Sequence, residues 1–492
     1  MNNYLLLIPI FMSALLGCIL PLIRPLYNNA KLRHAYVGAA VILELIAVVG
    51  SMAMGESELL LWNMLEGVPI YFHFDKLGMI FALLTSFMWV MNAFFAFEYM
   101  KHEGREVRYF SLFLISLTAL VGVCYAGNLV TAYAFYEFMS VFTMPWVLHS
   151  LSKESIDAAK KYLFYSMGGA FLGLAGFFVM FRFAGAMTFV PGGCMDMGLV
   201  AGHEVMVLVV SLLFLIGFGS KAGMWPLHGW LPTAHPVAPA PASALLSGNI
   251  TKMGVLMIIR YVYYVVGVSF LRGSFVQYAF MGLSLLTVLM GSMMAYKEEI
   301  LKKRLAYSTV SQVSYVLFGL SCMNPLGFIG AMMHVLFHSL VKNTLFLNAG
   351  AIIYKTGRTK VSQLVGIGKE MPVTMWCFTL VSLTLVGIPP TSAFVSKWYL
   401  ALGSLETKVP VVSYMGPVVL LTSALLTAGY LITITMKGFF PGSDFDYENL
   451  KSYEPNLYML VPMIVLTALA VVLGIWPGPL TDVLTEIASA IM

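Results

Sequence analysis

The 492 residues are 60% hydrophobic and only 10% charged, with a formal net charge of +5 and a mean hydropathy of +0.86. Soluble domains carry roughly 25% charged residues, so this chain cannot cover a water-facing surface and must use lipid as solvent on most of its sides. Its basic residues sit in short loops between apolar runs, which excludes a nucleic-acid interface.

A spanning helix needs about 20 mostly apolar residues. Fourteen candidates follow one another, beginning near Tyr4, Ala35, Leu77, Tyr109, Leu129, Tyr162, Val205, Ala242, Phe275, Tyr307, Phe328, Thr374, Val411 and Leu457. The expected class is an all-α polytopic membrane protein with about 14 transmembrane helices. The first segment lacks a basic leader and reads as a retained helix rather than a cleaved signal. Between helices 2 and 3, the alternation of Val68, Ile70, Phe72 and Phe74 predicts a short hairpin outside the bilayer.

Basic residues collect on alternate loops. Arg24, Lys31 and Arg33 follow helix 1, Lys101, Arg105 and Arg108 follow helix 3, and Lys153, Lys160 and Lys161 follow helix 5. Lys297, Lys302, Lys303 and Arg304 follow helix 9, Lys355, Arg358, Lys360 and Lys369 follow helix 11, and Lys437 and Lys451 follow helix 13. The opposite loops hold only Lys76, Arg182, Arg272 and Lys408, with Arg260 near that side. The positive-inside rule then places both termini outside the cytoplasm, in the cell's inner (cytoplasmic) membrane.

Six charges fall inside apolar runs: Glu44, Glu137, Lys221, Lys252, Lys342 and Lys397. A charge at the bilayer centre costs at least about 2.5–3.5 kcal/mol, so it is a functional candidate by default. The structural alternative is an ion pair that locks two helices. Two of the lysines lie in broken helices. Helix 7 runs through Gly217, Gly219, Lys221 and Gly223 to Pro226, and helix 12 through Gly387, Pro389 and Pro390 to Lys397. Proline removes a backbone donor and clashes with the preceding turn. In lipid the freed carbonyls need protein or a hydrated cavity. Paired interruptions in two halves point to two inverted five-helix repeats, helices 4–8 and helices 9–13. The alternative is two unrelated proline kinks, since the lysine precedes the proline in one helix and follows it in the other. The resulting division is 1–100 for helices 1–3 with the hairpin, 105–270 and 273–440 for the repeats, and 455–492 for helix 14.

Glu137 in helix 5 needs a cation to stay ionised, and Lys221 in helix 7 is the candidate. A Glu–Lys pair that separates is a two-state electrostatic switch; the alternative is a static bridge. Around Lys252, the polar residues Ser247, Asn249 and Thr251 are placed to hold waters or to make helix contacts. His334, His338 and Lys342 recur every four residues on helix 11, along one face, as a candidate proton wire. Two His at that spacing also bind zinc, but that needs a third ligand, and no acid lies between them. No metal is expected. Glu44 remains open between a neighbouring subunit and a side path. His228 and His235, in the loop after helix 7, gate or decorate the cytoplasmic mouth. Cys18, Cys124, Cys194, Cys322 and Cys377 form no CxxC, and no GxGxxG or P-loop occurs. No cofactor is expected in this chain.

The run from Gly219 through Lys221, Trp225, Pro226 and His228 to Pro232, followed by His235 to Gly248, resembles the core signature of the antiporter-like subunits. These occur in respiratory complex I, in Mrp-type Na+/H+ antiporters and in energy-converting membrane hydrogenases. Glu137, His334, His338, Lys342 and the Gly387 to Trp398 run extend the resemblance over roughly residues 75 to 440. It implies a fourteen-helix fold with two inverted five-helix units. It implies that Glu137 and Lys221 are a coupled pair, that Lys252 relays inward, that His334, His338 and Lys342 are central, and that Lys397 leads outward. Ser247 stands where complex I members often have His, and Ala393 where a Gly is common. The run from His235 through Pro236, Pro239 and Pro241 to Ser243 resembles more closely the hydrogenase, formate hydrogenlyase and Mrp branch. The expected function is a proton (or Na+/H+) translocating subunit of a redox-driven pump. Its partners are other membrane subunits, another antiporter-like subunit among them, and a redox arm with iron–sulfur proteins. An Mrp-type antiporter without a redox partner and a purely structural subunit are the alternatives. No redox centre is expected here, and the acid-poor interior favours H+ over Na+.

Overall fold

The computed structural model describes residues 3–443, 445, 447 and 450–492. Among them, ten helices are long and apolar enough to cross a membrane, and Tyr4–Ile19 and Pro372–Val386 are shorter apolar helices. In chain order the main helices are α1 (Leu7–Ile19), α2 (Ala30–Ala53), α3 (Lys76–Glu103), α4 (Glu106–Tyr125), α5 (Leu129–Val147), α6 (Lys153–Ala184) and α7 (Glu204–Ala222). Next come α8 (Ala240–Val266), α9 (Phe275–Lys297), α10 (Leu301–Ser321), α11 (Pro325–Thr356), α12 (Pro372–Val386) and α13 (Ser392–Glu406). The last are α14 (Val412–Phe439), α15 (Leu457–Ile475) and α16 (Gly478–Ile491).

Polar caps set many starts. Asp75, Asn128 and Asn324 each accept a backbone N–H three residues on, all at 2.8 Å, which satisfies one of the free donors of a helix N-terminus. The predicted hairpin is present. β1 (Ser57–Leu65) pairs antiparallel with β2 (Val68–Phe74), with Leu59 opposite Phe72. Phe74 stacks on Tyr125 with ring centroids 3.8 Å apart, fixing the hairpin to the end of α4.

Polarity follows position in the bundle. The apolar windows of α8 and α11 are 100% and 83% buried, against 39% for α2, α6, α14 and α15. The outer helices therefore face lipid, and the polar side chains gather on the two central ones. The close approach of α6 and α7 depends on glycine: a Cβ on Gly217 would stand 2.4 Å from the Gly169 carbonyl oxygen. Small residues let neighbouring membrane helices come this close.

The structure differs from the sequence expectation in detail. Helix 8 is not a regular α-helix, since Leu246–Ile250 and Arg260–Val266 are π-helical turns. The breaks expected in helices 7 and 12 are present: helix 12 divides into α12 and α13 around Pro389 and Pro390, and helix 7 ends at Ala222 before a short helix, Leu231–Val237. The segment assigned to helix 14 holds two helices, because Pro477 and Pro479 break the run between α15 and the amphipathic α16. The boundary between residues 440 and 455 falls partly outside the described residues.

Candidate functional site

Lys221 lies in the last turn of α7 and is fully buried. Its Nζ donates to Ser140 Oγ on α5 at 2.8 Å and to the Tyr162 hydroxyl on α6 at 3.1 Å. It stands 4.6 Å from the Tyr162 ring centroid, within cation–π range. The break after α7 is closed by protein: Trp230 Nε1 donates to the Ser220 carbonyl at 2.9 Å. Gly223 takes a positive φ of 84° there, and the Trp225–Pro226 bond is cis. His228 is half-buried in this loop with Nδ1 unpartnered.

Glu137 sits one turn before Ser140, half-buried at the edge of α5, beside the exposed Phe138. Both carboxylate oxygens are shielded from solvent and have no hydrogen-bond partner. The Tyr133 hydroxyl lies next to the carboxylate without reaching bonding geometry. Glu137 and Lys221 are thus electrostatic neighbours but not a closed ion pair. The lysine has turned to hydroxyls instead.

Lys252 is held by the distortion of α8. The Ser247 carbonyl, in the π turn, accepts from Lys252 Nζ at 2.6 Å and from Thr251 Oγ1 at 2.7 Å, and Lys252 Nζ also donates to Thr251 Oγ1 at 3.2 Å. The third partner is His338 Nδ1 on α11, at 2.6 Å. Ser247 Oγ pairs with Thr309 on α10 at 2.6 Å. Asn249 accepts from Asn343 at 3.3 Å, and Asn92 on α3 donates to Asn343 at 2.8 Å. A Cβ on Gly248 would stand 2.0 Å from Asn343 Nδ2, so a larger residue there would displace the Asn343 amide from its bonds to Asn249 and Asn92.

His334, His338 and Lys342 share a side of α11 but fan out, because four residues overshoot one helical turn by about 40°. His338 meets α8. His334 bonds Ser396 Oγ on α13 at 2.9 Å through Nδ1, and Gln312 Oε1 on α10 at 3.2 Å through Nε2. Lys342 Nζ donates to Ser308 Oγ at 2.6 Å and to the Leu305 carbonyl at 3.2 Å. The two histidine rings are 6.1 Å apart.

Lys397 follows the break between α12 and α13. Its Nζ donates to the Leu385 and Val386 carbonyls at 2.7 and 2.9 Å. These are terminal carbonyls of α12, where the helix dipole favours a cation. The break at Gly387, Pro389 and Pro390 is what brings lysine and helix end together. Tyr315 lies between the two groups: its ring is 5.4 Å from the His334 ring and 5.1 Å from Lys397 Nζ.

Several neighbours escaped the sequence reading: Ser140, Tyr162, Ser308, Gln312, Tyr315 and Ser396. Ser140 and Tyr162 stand out as polar groups on largely apolar stretches, whereas Ser308, Gln312 and Tyr315 are lost among the many polar residues of α10. His235 is fully buried, stacked on Phe346 at 4.6 Å, with both ring nitrogens unpartnered. It faces the interior and does not decorate a mouth. No hydrogen bond joins Lys221 to Lys252 among the described residues.

A family model described as NADH:quinone oxidoreductase/Mrp antiporter, TM, matches residues 126–427. The chain belongs to this family. It is 32% identical over 417 residues to NADH-quinone oxidoreductase subunit N of Desulforudis audaxviator, covering 82% of this chain and 81% of that one. It is 30% identical to hydrogenase-4 component B of Escherichia coli over 86% of this chain, spanning 65% of that longer protein. It is 26% identical to an Na(+)/H(+) antiporter subunit of Alkalihalophilus pseudofirmus, over 100% of this chain and 98% of the relative. Among solved structures, a chain of the Mrp complex from Dietzia sp. superposes with a TM-score of 0.85 at 21% identity, covering 99% of this chain and 98% of that one. A chain of respiratory complex I from Thermus thermophilus superposes at 0.81, again at 21% identity, covering 99% and 98%. These superpositions establish the fold, that of a multi-pass antiporter-like membrane subunit. The relatives include all three branches to which the sequence was likened.

Proposed function

We propose that the chain translocates protons as a membrane subunit of a larger complex, by way of Glu137, Lys221, Lys252, His338, His334 and Lys397, with Lys342 as a side branch. One observation carries this reading. Lys221, Lys252, Lys342 and Lys397 are bonded only to hydroxyls, carbonyls and an imidazole, with no acid within ion-pair distance among the described residues. A lysine kept as a structural lock would have its carboxylate, as Arg260 has Asp75 at 2.5 Å. A buried lysine without one readily gives up its proton. At 2.6 Å from Lys252, His338 Nδ1 can take that proton, leaving a neutral amine and an imidazolium. Glu137, also unpaired, supplies the movable counter-charge beside Lys221.

The inverted-repeat architecture of helices 4–8 and 9–13, fourteen spans and extracytoplasmic termini in the cytoplasmic membrane belong to the same proposal. So does a redox-driven complex with iron–sulfur partners, supported by the complex I and hydrogenase names among the relatives. Near-complete coverage of an Na(+)/H(+) antiporter component favours a second reading, an Mrp-type antiporter without a redox arm. Ser247 in place of the complex I histidine fits the hydrogenase and Mrp branch.

The test is ion translocation by the purified complex in vesicles, with Glu137→Ala and Lys221→Ala variants and assembly checked by the co-purifying chains. Pumping should be lost in both. Normal pumping by an intact variant complex would refute the relay. Mass spectrometry of the same preparation names the partners and so separates the two readings.

A further inference from the structure

Glu44 lies outside the chain of groups just described. α2 buries Val37, Val41, Glu44, Val48 and Ser51, the three- and four-residue spacing of one helix face. That face packs against α1, α3 and α4, and Glu44 is fully buried. It therefore cannot meet a neighbouring subunit.

Neither carboxyl oxygen of Glu44 has a hydrogen-bond partner. Between Val37 and Ser51 the buried face it shares is apolar apart from hydroxyls. Ser13 on α1 is its neighbour, and Ser13 is itself bonded to Thr118 on α4 at 2.9 Å. From α4 the titratable group facing it is Tyr125, whose buried hydroxyl is unpartnered, within electrostatic reach of Glu44 and beside Ser51. Neither α1 nor α3 brings a charged group to bear on it among the described residues. Ser51 stands seven residues beyond Glu44, about 10 Å nearer the hairpin end at 1.5 Å per residue.

An ionised carboxylate in this surround is an uncompensated buried charge, which is costly. One positive charge has to neutralise it. A metal cation needs a shell of several oxygens at one point, whereas Ser13 and Ser51 stand on different levels of the bundle. A proton needs only the hydroxyl beside it.

We propose that Glu44 is a second proton-binding site, exchanging its proton through Tyr125 towards the hairpin end and separate from the lysine and histidine chain. Among the described residues no hydrogen bond connects this cluster to Lys221 or Lys252.

The test is infrared difference spectroscopy on the chain purified with its native partners. Wild type should show a protonated-carboxyl carbonyl band that is lost in Glu44→Gln, kept in Lys221→Ala and shifted in D2O. The shift should develop several-fold more slowly in Tyr125→Phe. If Glu44→Gln fails to assemble, Glu44→Asp keeps the carboxyl and should move the band rather than remove it. A band unaltered in the Glu44 variants would overturn the proposal. So would one that never exchanges with D2O, one erased by Na+ at fixed pH, or an exchange rate indifferent to Tyr125→Phe. Because Lys221→Ala is read in the same experiment, failure of the main relay and failure of this site are told apart.

Discussion

At the scale of single residues, the four lysines inside the bundle differ from Arg33, Arg260 and Arg358 in the company they keep. Arg33, Arg260 and Arg358 each meet a carboxylate at 2.5–2.6 Å, and arginine does not deprotonate in proteins. The four lysines inside the bundle meet neutral acceptors, which hold an ammonium without trapping it. Lys221 illustrates the point, because Ser140 and Tyr162 are its only hydrogen-bond partners among the described residues. A bond to a charged group contributes about 1.5–3 kcal/mol. Ser140→Ala or Tyr162→Phe should therefore slow translocation by roughly tenfold in an assembled complex, about 1.4 kcal/mol in the barrier. Proton uptake into reconstituted vesicles is the measurement. An unchanged rate in the double variant would mean that Lys221 is not a stepping stone.

At the scale of elements, irregular backbone supplies acceptors to two of the lysines, Lys252 and Lys397. The π turn at Leu246–Ile250 presents the Ser247 carbonyl to Lys252, and the end of α12 presents Leu385 and Val386 to Lys397. The second of these was legible in the sequence, since Gly387, Pro389 and Pro390 announce a break beside a lysine. The first was not: no residue type marks a π turn, and serine and glycine are also found where regular membrane helices pack closely. The partners across helices were illegible for the same reason, because Ser396 and Gln312 are defined as a site only once His334 stands between them. The α12 end allows stability and transport to be separated. Lys397→Met leaves two carbonyls unpaired and should cost about 1–3 kcal/mol, seen as a lower unfolding temperature of the purified protein. Lys397→Arg restores a cation at the helix end and should recover most of that stability. It should still fail to translocate, because a guanidinium does not release its proton. A transporting Lys397→Arg protein would reduce Lys397 to a helix cap.

At the scale of the molecule, the order of burial organises the chain: α8 and α11 at the centre, lipid-facing helices outside. Hydropathy made the membrane class and most spans legible, because lipid imposes length and composition on each helix. The central helices α8 and α11 carry the polar side chains and are less apolar than the lipid-facing α15, so polarity marked them in the sequence, but hydropathy alone could not say which faces of each meet which neighbours. Nor could it foresee the tie between Asp75, at the start of α3, and Arg260, at the end of α8. Arg260 Nη1 and Nη2 bond both Asp75 oxygens, at 2.5 and 2.7 Å. Burial pushes the Asp75 carboxyl up, but the Arg260 guanidinium and the Gly78 N–H outweigh it and hold the carboxyl below its ordinary value. A carboxyl depressed in the folded state adds stability that is complete above the unfolded value of about 3.9 and is lost as pH falls through the folded value. Removing one partner of a buried pair costs about 3–5 kcal/mol, because the other charge is left uncompensated. Asp75→Asn should therefore unfold at a clearly lower temperature than wild type at neutral pH. The gap should close on acidification, as the wild-type carboxyl itself takes up a proton. Thermal unfolding of both proteins in one detergent across pH reads this directly, and a gap constant down to the lowest pH would show that the pair does not hold α3 to α8.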